Sequence, residues 1–262
     1  MRKLFLLLLG VLLPVLSAHS QSIPKGEFYD KSGAVADNYN FWVYTPGDYE
    51  TDDHKIPLII FLHGASLCGR DINRVKRYGV LDAIEKGKII PALVLAPQNS
   101  GGAWKPEKIN SLLEWMKENY RVDTTRVYVI GMSLGGYGTL DFVGTYPQKV
   151  AAAMALCGGC SLNNLDGLGN VPLWIMHGTA DRAVNISQSK KIVSYLQDSG
   201  KDKLLRFDWL EKGSHGIFAR LFYLQKTYDW LFAHSKNFDI DYSDINQTYE
   251  ELKWFKGMFD DD

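Results

Sequence analysis

Short apolar runs of strand length alternate along this chain with segments whose apolar positions recur at helical spacing. The apolar runs predict seven β-strands, at residues 41–45, 57–62, 92–96, 127–130, 151–156, 173–176 and 204–209. The helical patterns lie between them, near residues 71–86, 107–119, 134–146, 187–199 and 217–234. This alternation predicts an α/β fold in which a mostly parallel, doubly wound sheet carries helices on both faces. Ligands of such sheets bind at the carboxyl ends of the strands.

One predicted strand ends in glycines that surround a serine. Residues 127–136 read V-Y-V-I-G-M-S-L-G-G, with Ser133 between Gly131 and Gly135. This G-x-S-x-G pattern is typical of a nucleophile elbow, a sharp turn from strand to helix that lifts the serine hydroxyl clear of the sheet. An ordinary tight turn would also match the pattern, but the strand before it and the helical pattern after it favour the elbow. Ser133 is therefore the candidate nucleophile.

Two later strand ends supply partners for the serine in the order that the elbow requires, first an acid and then a histidine. The strand at 173–176 leads into H-G-T-A-D, which ends at Asp181, the candidate acid. Residues 204–210 alternate like a half-buried edge strand and lead into E-K-G-S-H-G, which contains His215, the candidate general base. Two other histidines follow strand ends, His63 and His177. They are interpreted as residues that hold loops together.

Acyl transfer also needs hydrogen-bond donors for the oxyanion of the tetrahedral intermediate, and each donor is worth about 2.7–4 kcal/mol of barrier. The elbow supplies one donor, the backbone N–H of Leu134. The second is predicted at Ala65, which follows His63-Gly64 at the end of the strand over 57–62. Taken alone, the segment His63-Gly64-Ala65 would also fit an ordinary glycine turn after a buried strand. Together with the elbow, the segment is interpreted as an oxyanion loop.

These segments carry a family resemblance. G-M-S-L-G-G-Y-G-T at 131–139, L-H-G-A at 62–65 and H-G-T-A-D at 177–181 resemble secreted α/β-hydrolase esterases of the feruloyl esterase and polyhydroxybutyrate depolymerase type, also called predicted peptidases. The likeness extends from about residue 38 to residue 234. The chain departs from the family pattern at Ser66, where glycine is usual, and at Ile217-Phe218, where an aromatic residue often follows the histidine sooner. Both departures concern substrate fit more than the triad.

The resemblance and the residues imply the same chemistry. Ser133 would attack a carbonyl carbon, and His215 would take the hydroxyl proton and return it to the leaving alcohol. Asp181 would hold the imidazole in its working tautomer. This mechanism needs no cofactor and no metal. The two cysteines of the C-G-G-C segment, at 157 and 160, and the scattered histidines offer no four-ligand metal pattern. Three cysteines leave the disulfide pairing open, among Cys68, Cys157 and Cys160.

The sequence gives less direct information about the size of the substrate and about the residues that contact it. Only a short polar, glycine-rich loop separates the strands at 151–156 and 173–176, so no large lid is expected over the site. An open site suits esters carried on bulky or polymeric groups. Trp104 would either wall the substrate site by stacking or anchor the helix that follows it. Gln98, at a strand end, would either support the oxyanion loop or touch substrate.

Composition predicts one enzyme domain. The chain has 262 residues, 46% hydrophobic and 23% charged, which suffices for a single α/β core over residues 21–262. The net charge of -1 gives no basic surface for nucleic acid or an anionic membrane. The last part, residues 239–262, mixes carboxylates with aromatic residues and is interpreted as a partly docked appendage. The oligomeric state is not set by the sequence.

The first 20 residues have the pattern of a secretory signal. Arg2 and Lys3 precede an apolar run over 4–16, and Ala18-His19-Ser20 has small residues at the positions that precede cleavage. The run is shorter than the roughly 20 residues of a membrane span and contains Pro14. No cysteine stands at the new N-terminus to take a lipid anchor. The mature chain is expected to be exported to a bacterial periplasm or to the medium.

Three functions therefore compete. The leading one is a carboxylic ester hydrolase that removes feruloyl or acetyl groups from polysaccharide, with a polyhydroxyalkanoate depolymerase as a related ester hydrolase. A serine peptidase of the prolyl-oligopeptidase type would share the elbow, although this chain has no propeller domain. A non-catalytic binding protein on the same scaffold is disfavoured because all three triad positions are filled.

Overall fold

The computed structural model describes residues 25–51 and 53–237. The predicted leader and the predicted acidic appendage both lie outside these residues. The described part contains an eight-stranded sheet in the order β1-β2-β4-β3-β5-β6-β7-β8. Its strands are β1 (Glu27–Asp30), β2 (Asn40–Thr45), β3 (Ile56–Leu62), β4 (Leu93–Gln98), β5 (Val122–Met132), β6 (Ala152–Leu156), β7 (Leu173–Gly178) and β8 (Leu205–Leu210).

The sheet is mostly parallel, as predicted. Strands β3 to β8 pair in parallel, and only β1 and β2 join the edge in antiparallel orientation. The register aligns the carboxyl ends of the parallel strands: Leu62 lies opposite Gly131, and Met132 lies opposite Leu156. One edge of the sheet therefore collects the loops that follow β3, β5, β6, β7 and β8.

Helices cover both faces. They are α1 (Val80–Glu85), α2 (Pro106–Asn119), α3 (Leu134–Thr145), α4 (Ser187–Asp198) and α5 (Gln225–Phe232). Alternate residues of β3 divide between two buried clusters, with Ile60 among the side chains of α2, α3 and α4 and Ile59 among those of α1 and α5. This confirms the predicted doubly wound α/β fold. None of the helices in the described residues has both the length and the hydrophobicity that crossing a membrane requires.

Helix α2 shows why the sequence patterns work. Its buried residues recur at helical spacing, Ile109, Leu112, Leu113 and Met116, and Pro106 begins the helix where a missing backbone N–H costs nothing. Burial of each such side chain contributes about 1.5–3 kcal/mol, so packing on the sheet stabilises the helix more than propensity does.

Two predicted helices are shorter than expected. The segment 71–86 divides into a 3₁₀ helix at Ile72–Lys76 and α1, because Gly79 between them has φ +100° and packs against the ring of Phe61. The segment 217–234 divides into a 3₁₀ segment at His215–Tyr223 and α5. Strand β1 was not predicted, and β5 begins earlier than predicted because its polar first residues continue the extended chain.

Candidate active site

Ser133 occupies a strained turn between β5 and α3. Its backbone has φ 59° and ψ −122°, a left-handed conformation that costs a residue with a side chain about 1–3 kcal/mol. The neighbouring chains are in close contact: a Cβ on Gly135 would lie 1.8 Å from the carbonyl oxygen of Leu62, and one on Gly131 would lie 2.3 Å from that of Gly135. Glycine is therefore required on both sides of the serine, as expected for a nucleophile elbow.

The turn is fixed on both sides of the serine. The N–H of Ser133 donates to the carbonyl of Leu156 at the end of β6, at 2.8 Å, and its carbonyl accepts from the N–H of Tyr137, at 3.0 Å. Leu134 is the first residue of α3, and the first N–H groups of a helix have no acceptor within that helix. The Leu134 N–H therefore has no acceptor within α3 and stays the candidate for the first oxyanion donor.

The predicted acid and base meet at the ends of β7 and β8. Nδ1 of His215 lies 2.6 Å from Oδ2 of Asp181. The other carboxylate oxygen, Oδ1, accepts the N–H groups of Ala183 at 2.8 Å and Val184 at 2.9 Å. The Asp181 side chain is fully buried, whereas that of His215 is 23% exposed. The imidazole can therefore reach solvent or substrate while its acid remains enclosed.

Opposing effects set the pKa of Asp181. Burial raises it, but the hydrogen bonds from Val184, His215 and Ala183 outweigh burial and hold the pKa below its ordinary value. The carboxylate is therefore charged at neutral pH, the state in which it accepts a hydrogen bond from Nδ1–H of an imidazole.

A second imidazole touches the same carboxylate. Nε2 of His177 lies 2.9 Å from the carbonyl oxygen of Val184 and 3.2 Å from Oδ2 of Asp181. Its Nδ1 lies 2.8 Å from Oγ of Ser189 on α4, and burial lowers the pKa of His177. His177 holds the loop after β7, as the sequence predicts, but its contact with the acid was not foreseen. The i to i+4 spacing of H-G-T-A-D was the available signal.

Ser133 and the acid-base pair are joined through the end of β6. Cys157 follows Leu156, the residue that accepts the Ser133 N–H, and its own N–H donates to Met176 of β7 at 2.8 Å. The Cys157 Sγ and ligand atoms of Asp181 and His215 all lie within 4.8 Å of one another. The three predicted triad residues therefore all follow parallel strands of one sheet, β5, β7 and β8, at the carboxyl ends of those strands. Burial and the Asp181 charge raise the pKa of the Cys157 thiol, so it is neutral.

The predicted oxyanion loop lies against the elbow. A Cβ built on Gly64 would be 3.5 Å from Cβ of Ser133. The Gly64 N–H donates to Oη of Tyr78, at 3.1 Å, so this donor is already used. The next residue, Ala65, is exposed and begins a short 3₁₀ turn, Ala65–Leu67. This leaves Ala65 as the candidate second donor, and Tyr78 as a support that sequence reasoning missed.

His63 anchors the base of this loop. Its Nδ1 donates to the carbonyl of Gly64 at 2.8 Å, and its Nε2 accepts the N–H of Asn99 at 2.9 Å. A carbonyl only accepts and an N–H only donates, so these partners fix a neutral tautomer. Burial lowers the pKa of His63 to about 4. The predicted structural role of His63 is consistent with these bonds.

Gln98 and Arg74 hold the far side of the loop. Gln98 Nε2 donates to the carbonyls of Leu67 at 2.7 Å and Gly69 at 3.1 Å. Arg74 donates to the carbonyls of Ser66 and Leu67. Gln98 is only 4% exposed, so of its two predicted roles the structure favours loop support and not substrate contact. Arg74 gave no sequence signal, because it comes from a separate 3₁₀ segment.

Trp104 is a core residue. It is 2% exposed, its Nε1 donates to the carbonyl of His63 at 3.3 Å, and its ring packs edge-on against His63 and Tyr39. A Cβ on Gly138 of α3 would collide with the indole. The indole is enclosed on these sides, so of its two predicted roles the structure favours the anchor, here between the oxyanion loop and the elbow helix.

The cysteines do not form disulfides in the described residues, where Cys68, Cys157 and Cys160 are all free. Cys160 Sγ lies 3.2 Å from Oδ1 of Asp141, and burial raises the pKa of the Cys160 thiol to about 12. The C-G-G-C segment thus places one thiol beside the triad and the other beside α3.

Comparison with known proteins agrees with the α/β-hydrolase fold. Residues 104–234, half of the chain, match the phospholipase/carboxylesterase family. Feruloyl esterase D of Neurospora crassa is 26% identical over 211 residues, which cover 72% of this chain and 71% of that protein. A bifunctional acetylxylan esterase/xylanase of Neocallimastix patriciarum is 31% identical over 94 residues, which cover 34% of this chain.

The solved structure of a thermostable esterase superposes with a TM-score of 0.68 at 25% identity, over 80% of this chain and 63% of that one. The chain spans only 13% of the length of the acetylxylan esterase/xylanase. The family assignment depends instead on the match that begins at Trp104 and runs through the elbow and His215 to His234. With its eight-stranded sheet and its serine elbow, this chain belongs to the phospholipase/carboxylesterase family of the α/β-hydrolase fold.

Proposed function

We propose that this chain is an exported serine carboxylesterase that acts through an acyl-enzyme on feruloyl, acetyl or similar esters of polysaccharide. The observation that carries the proposal is the 2.6 Å hydrogen bond between His215 and Asp181 at the sheet edge that also holds the strained Ser133. A serine, a buried carboxylate and an imidazole, in this order along the chain, are the components of acyl transfer.

The proposed reaction has two halves. Ser133 Oγ attacks the ester carbonyl while Nε2 of His215 takes its proton, and the imidazolium then gives this proton to the leaving alcohol. Water repeats the sequence on the acyl-enzyme and releases the acid. The N–H groups of Leu134 and Ala65 stabilise the oxyanion in both halves, and Asp181 stabilises the imidazolium.

The polymeric substrate is the finer part of the proposal. Residues 157–172, between β6 and β7, contain one 3₁₀ helix at Asp166–Asn170 and no inserted domain. A site without a large lid suits an ester whose alcohol is a bulky chain. The feruloyl and acetylxylan esterases among its relatives support the same substrate class.

The test uses purified protein with p-nitrophenyl acetate, methyl ferulate and acetylated or feruloylated xylan. The wild type should release acid from the esters, and Ser133→Ala should lower turnover by about 10⁴-fold or more. The matched control is Ser194→Ala, an exposed serine on α4, which should retain full activity. A fluorophosphonate should label the peptide that contains Ser133.

The same assay separates the alternatives. Cleavage of proline-containing p-nitroanilides without ester cleavage would indicate a peptidase, and selective cleavage of hydroxyalkanoate oligomers would indicate a depolymerase. A protein that hydrolyses nothing and takes no fluorophosphonate would be a binding protein, and the proposal would be wrong.

Export is tested separately. The full chain should be recovered from the periplasm or the medium with Gln21 as its first residue, because the leader pattern predicts cleavage after Ser20. Recovery from the cytosol with the first 20 residues intact would exclude this part of the proposal without affecting the esterase.

A further inference from the structure

Cys157 lies beside the acid-base pair, and the proposed mechanism does not use it. It follows β6, has a left-handed backbone with φ 48°, and is fully buried. Its Sγ lies 3.9 Å from the carbonyl oxygen of His215. Its backbone hydrogen bond to Met176 fixes its position between two neighbouring strands. The thiol therefore has a defined place next to the acid-base pair.

The ligand atoms there lie close enough together to hold a metal ion. Cys157 Sγ, a carboxylate oxygen of Asp181 and a ring nitrogen of His215 all lie within 4.8 Å of one another. Around tetrahedral zinc, with Zn–S of about 2.3 Å and Zn–N or Zn–O of about 2.0–2.2 Å, ligand atoms lie roughly 3.3–3.6 Å apart. A metal would separate Nδ1 of His215 from Oδ2 of Asp181, which are now 2.6 Å apart, and the partly exposed His215 ring is the ligand that would move.

The charges and the donor types also fit. A thiolate and a carboxylate together neutralise a divalent cation, so the buried site would hold no net charge. Sulfur and imidazole nitrogen favour Zn²⁺, Co²⁺ or Cd²⁺ over Mg²⁺ and Ca²⁺, which prefer oxygen ligands. Three protein ligands leave a fourth position for water.

We propose that Cys157, Asp181 and His215 form an inhibitory site for Zn²⁺ and similar divalent metals, which switches off the esterase when it is occupied. The inhibition rests on the proposed function of His215, whereas the metal binding does not.

The inhibition follows from the tautomer of one ring. In the free enzyme the Nδ1 proton of His215 points to Asp181, so Nε2 can accept the proton of Ser133. A metal on Nδ1 takes the place of that proton, which moves to Nε2, and the Cys157 thiol releases its proton to solvent. One proton leaves for each metal bound. Nε2 then carries hydrogen and cannot act as the base.

The binding test needs no enzyme activity. Co²⁺ is added to purified wild type, to Cys157→Ser and Cys157→Ala, and to the matched control Cys160→Ser. The wild type and the control should develop the near-ultraviolet absorption of a thiolate-cobalt bond and the visible bands of tetrahedral cobalt. Both Cys157 variants should lack the thiolate absorption. Equal spectra in the wild type and in Cys157→Ala would overturn the proposal.

The inhibition test follows ester hydrolysis while Zn²⁺ is added from a metal buffer. Removing Cys157 should raise the half-inhibitory Zn²⁺ concentration at least tenfold relative to the variant's own activity, and Cys160→Ser should not change it. Calorimetry in two buffers of different ionisation enthalpy should show about one proton released per Zn²⁺. Release of no proton, or equal inhibition of all variants, would contradict the site.

The outcomes also separate the two proposals. Cobalt binding that depends on Cys157, in a protein without esterase activity, would support the metal site and contradict the proposed function. Circular dichroism and the unfolding midpoint confirm that each variant is folded. If Cys157→Ala does not fold, Cys157→Ser gives the same comparison, because serine keeps the shape of the side chain and is a poor ligand for these metals.

Discussion

His215 and Asp181 come from the loops after two adjacent parallel strands, and Nδ1 of His215 lies 2.6 Å from Oδ2 of Asp181. The strand register alone does not produce this contact. The other oxygen of Asp181 is held by two backbone N–H groups of its own loop, so the carboxylate presents only Oδ2 to the imidazole. The orientation of the acid is therefore fixed by its own loop as well as by the histidine.

This orientation makes Asp181→Asn a severe change. The N–H groups of Ala183 and Val184 require an oxygen at the Oδ1 position, so the asparagine would turn its NH₂ group toward His215. Nδ1 of His215 must then accept a hydrogen bond from that NH₂ group, so the ring proton moves to Nε2. With a proton on Nε2, His215 cannot act as the general base. Turnover should fall by about 10⁴ with little change in KM. Asp198→Asn, on the exposed side of α4, is the control, and a fall of less than tenfold in Asp181→Asn would exclude Asp181 as the acid.

Gln98 should affect turnover without touching substrate. Gln98→Leu keeps the approximate shape of the side chain but removes the hydrogen bonds to the carbonyls of Leu67 and Gly69. An oxyanion donor lowers the barrier by about 2.7–4 kcal/mol. A loosened loop should lose part of this stabilisation, so kcat should fall by about tenfold to a hundredfold. The control is the exposed Gln197→Leu. If KM rises while kcat is unchanged, Gln98 contacts substrate instead.

Trp104 should act through stability. Removing a buried tryptophan costs about 3–5 kcal/mol, so Trp104→Ala should unfold at a lower denaturant concentration. Trp104→Phe keeps most of the packing against His63 and Tyr39 but loses the 3.3 Å bond to the His63 carbonyl, and should cost less. Equilibrium denaturation with methyl ferulate kinetics distinguishes the roles. A shift in ester preference at unchanged stability would restore the substrate contact predicted from sequence.

Much of the fold could be predicted because its signals are local. The apolar runs of the central strands and the helical spacing of α2 are readable from neighbours in the chain, and the G-x-S-x-G segment carries its own strand and helix. The order of serine, acid and histidine then predicted the contact between His215 and Asp181 without any contact information.

The missed features depend on contacts between distant segments. Tyr78 reaches Gly64, and Arg74 reaches Ser66, across loops that share no periodicity. The role of Trp104 was ambiguous because the sequence before a helix does not show whether an aromatic side chain faces solvent or the core. The break at Gly79 was missed because a lone glycine in a helical pattern does not show that Phe61 lies against it. Such features depend on packing between distant segments. A pattern within one segment carries no information about that packing.

The elbow itself should tolerate no side chain at Gly135. A Cβ there would lie 1.8 Å from the carbonyl oxygen of Leu62, which is backbone of a central strand and cannot move aside. Gly135→Ala should therefore destabilise the protein by more than the usual 1–3 kcal/mol of an overpacked core. The matched control is Gly216→Ala, where a Cβ meets nothing within 4 Å. Equal unfolding midpoints for the two variants would contradict this elbow geometry.

His63 should make the protein sensitive to acid. Its pKa is about 4 in the folded protein against an ordinary value of 6.5, because burial disfavours the charged ring. As the pH falls below 6.5 the unfolded chain takes up this proton before the folded one does, so the free energy of unfolding decreases with falling pH. A shift of this size corresponds to about 3 kcal/mol by pH 4.

Unfolding by denaturant at pH 7, 6, 5 and 4 checks this dependence. His63→Gln has no ring to protonate, so its stability should fall less between pH 6.5 and 4 than that of the wild type, even if it is less stable at pH 7. The control is His54→Gln, a change at an exposed histidine outside the oxyanion loop. The buried His177 and His234, whose pKa values burial also lowers, leave a residual acid dependence in both variants. Parallel curves for the wild type and His63→Gln would mean that His63 is not the neutral anchor of the oxyanion loop.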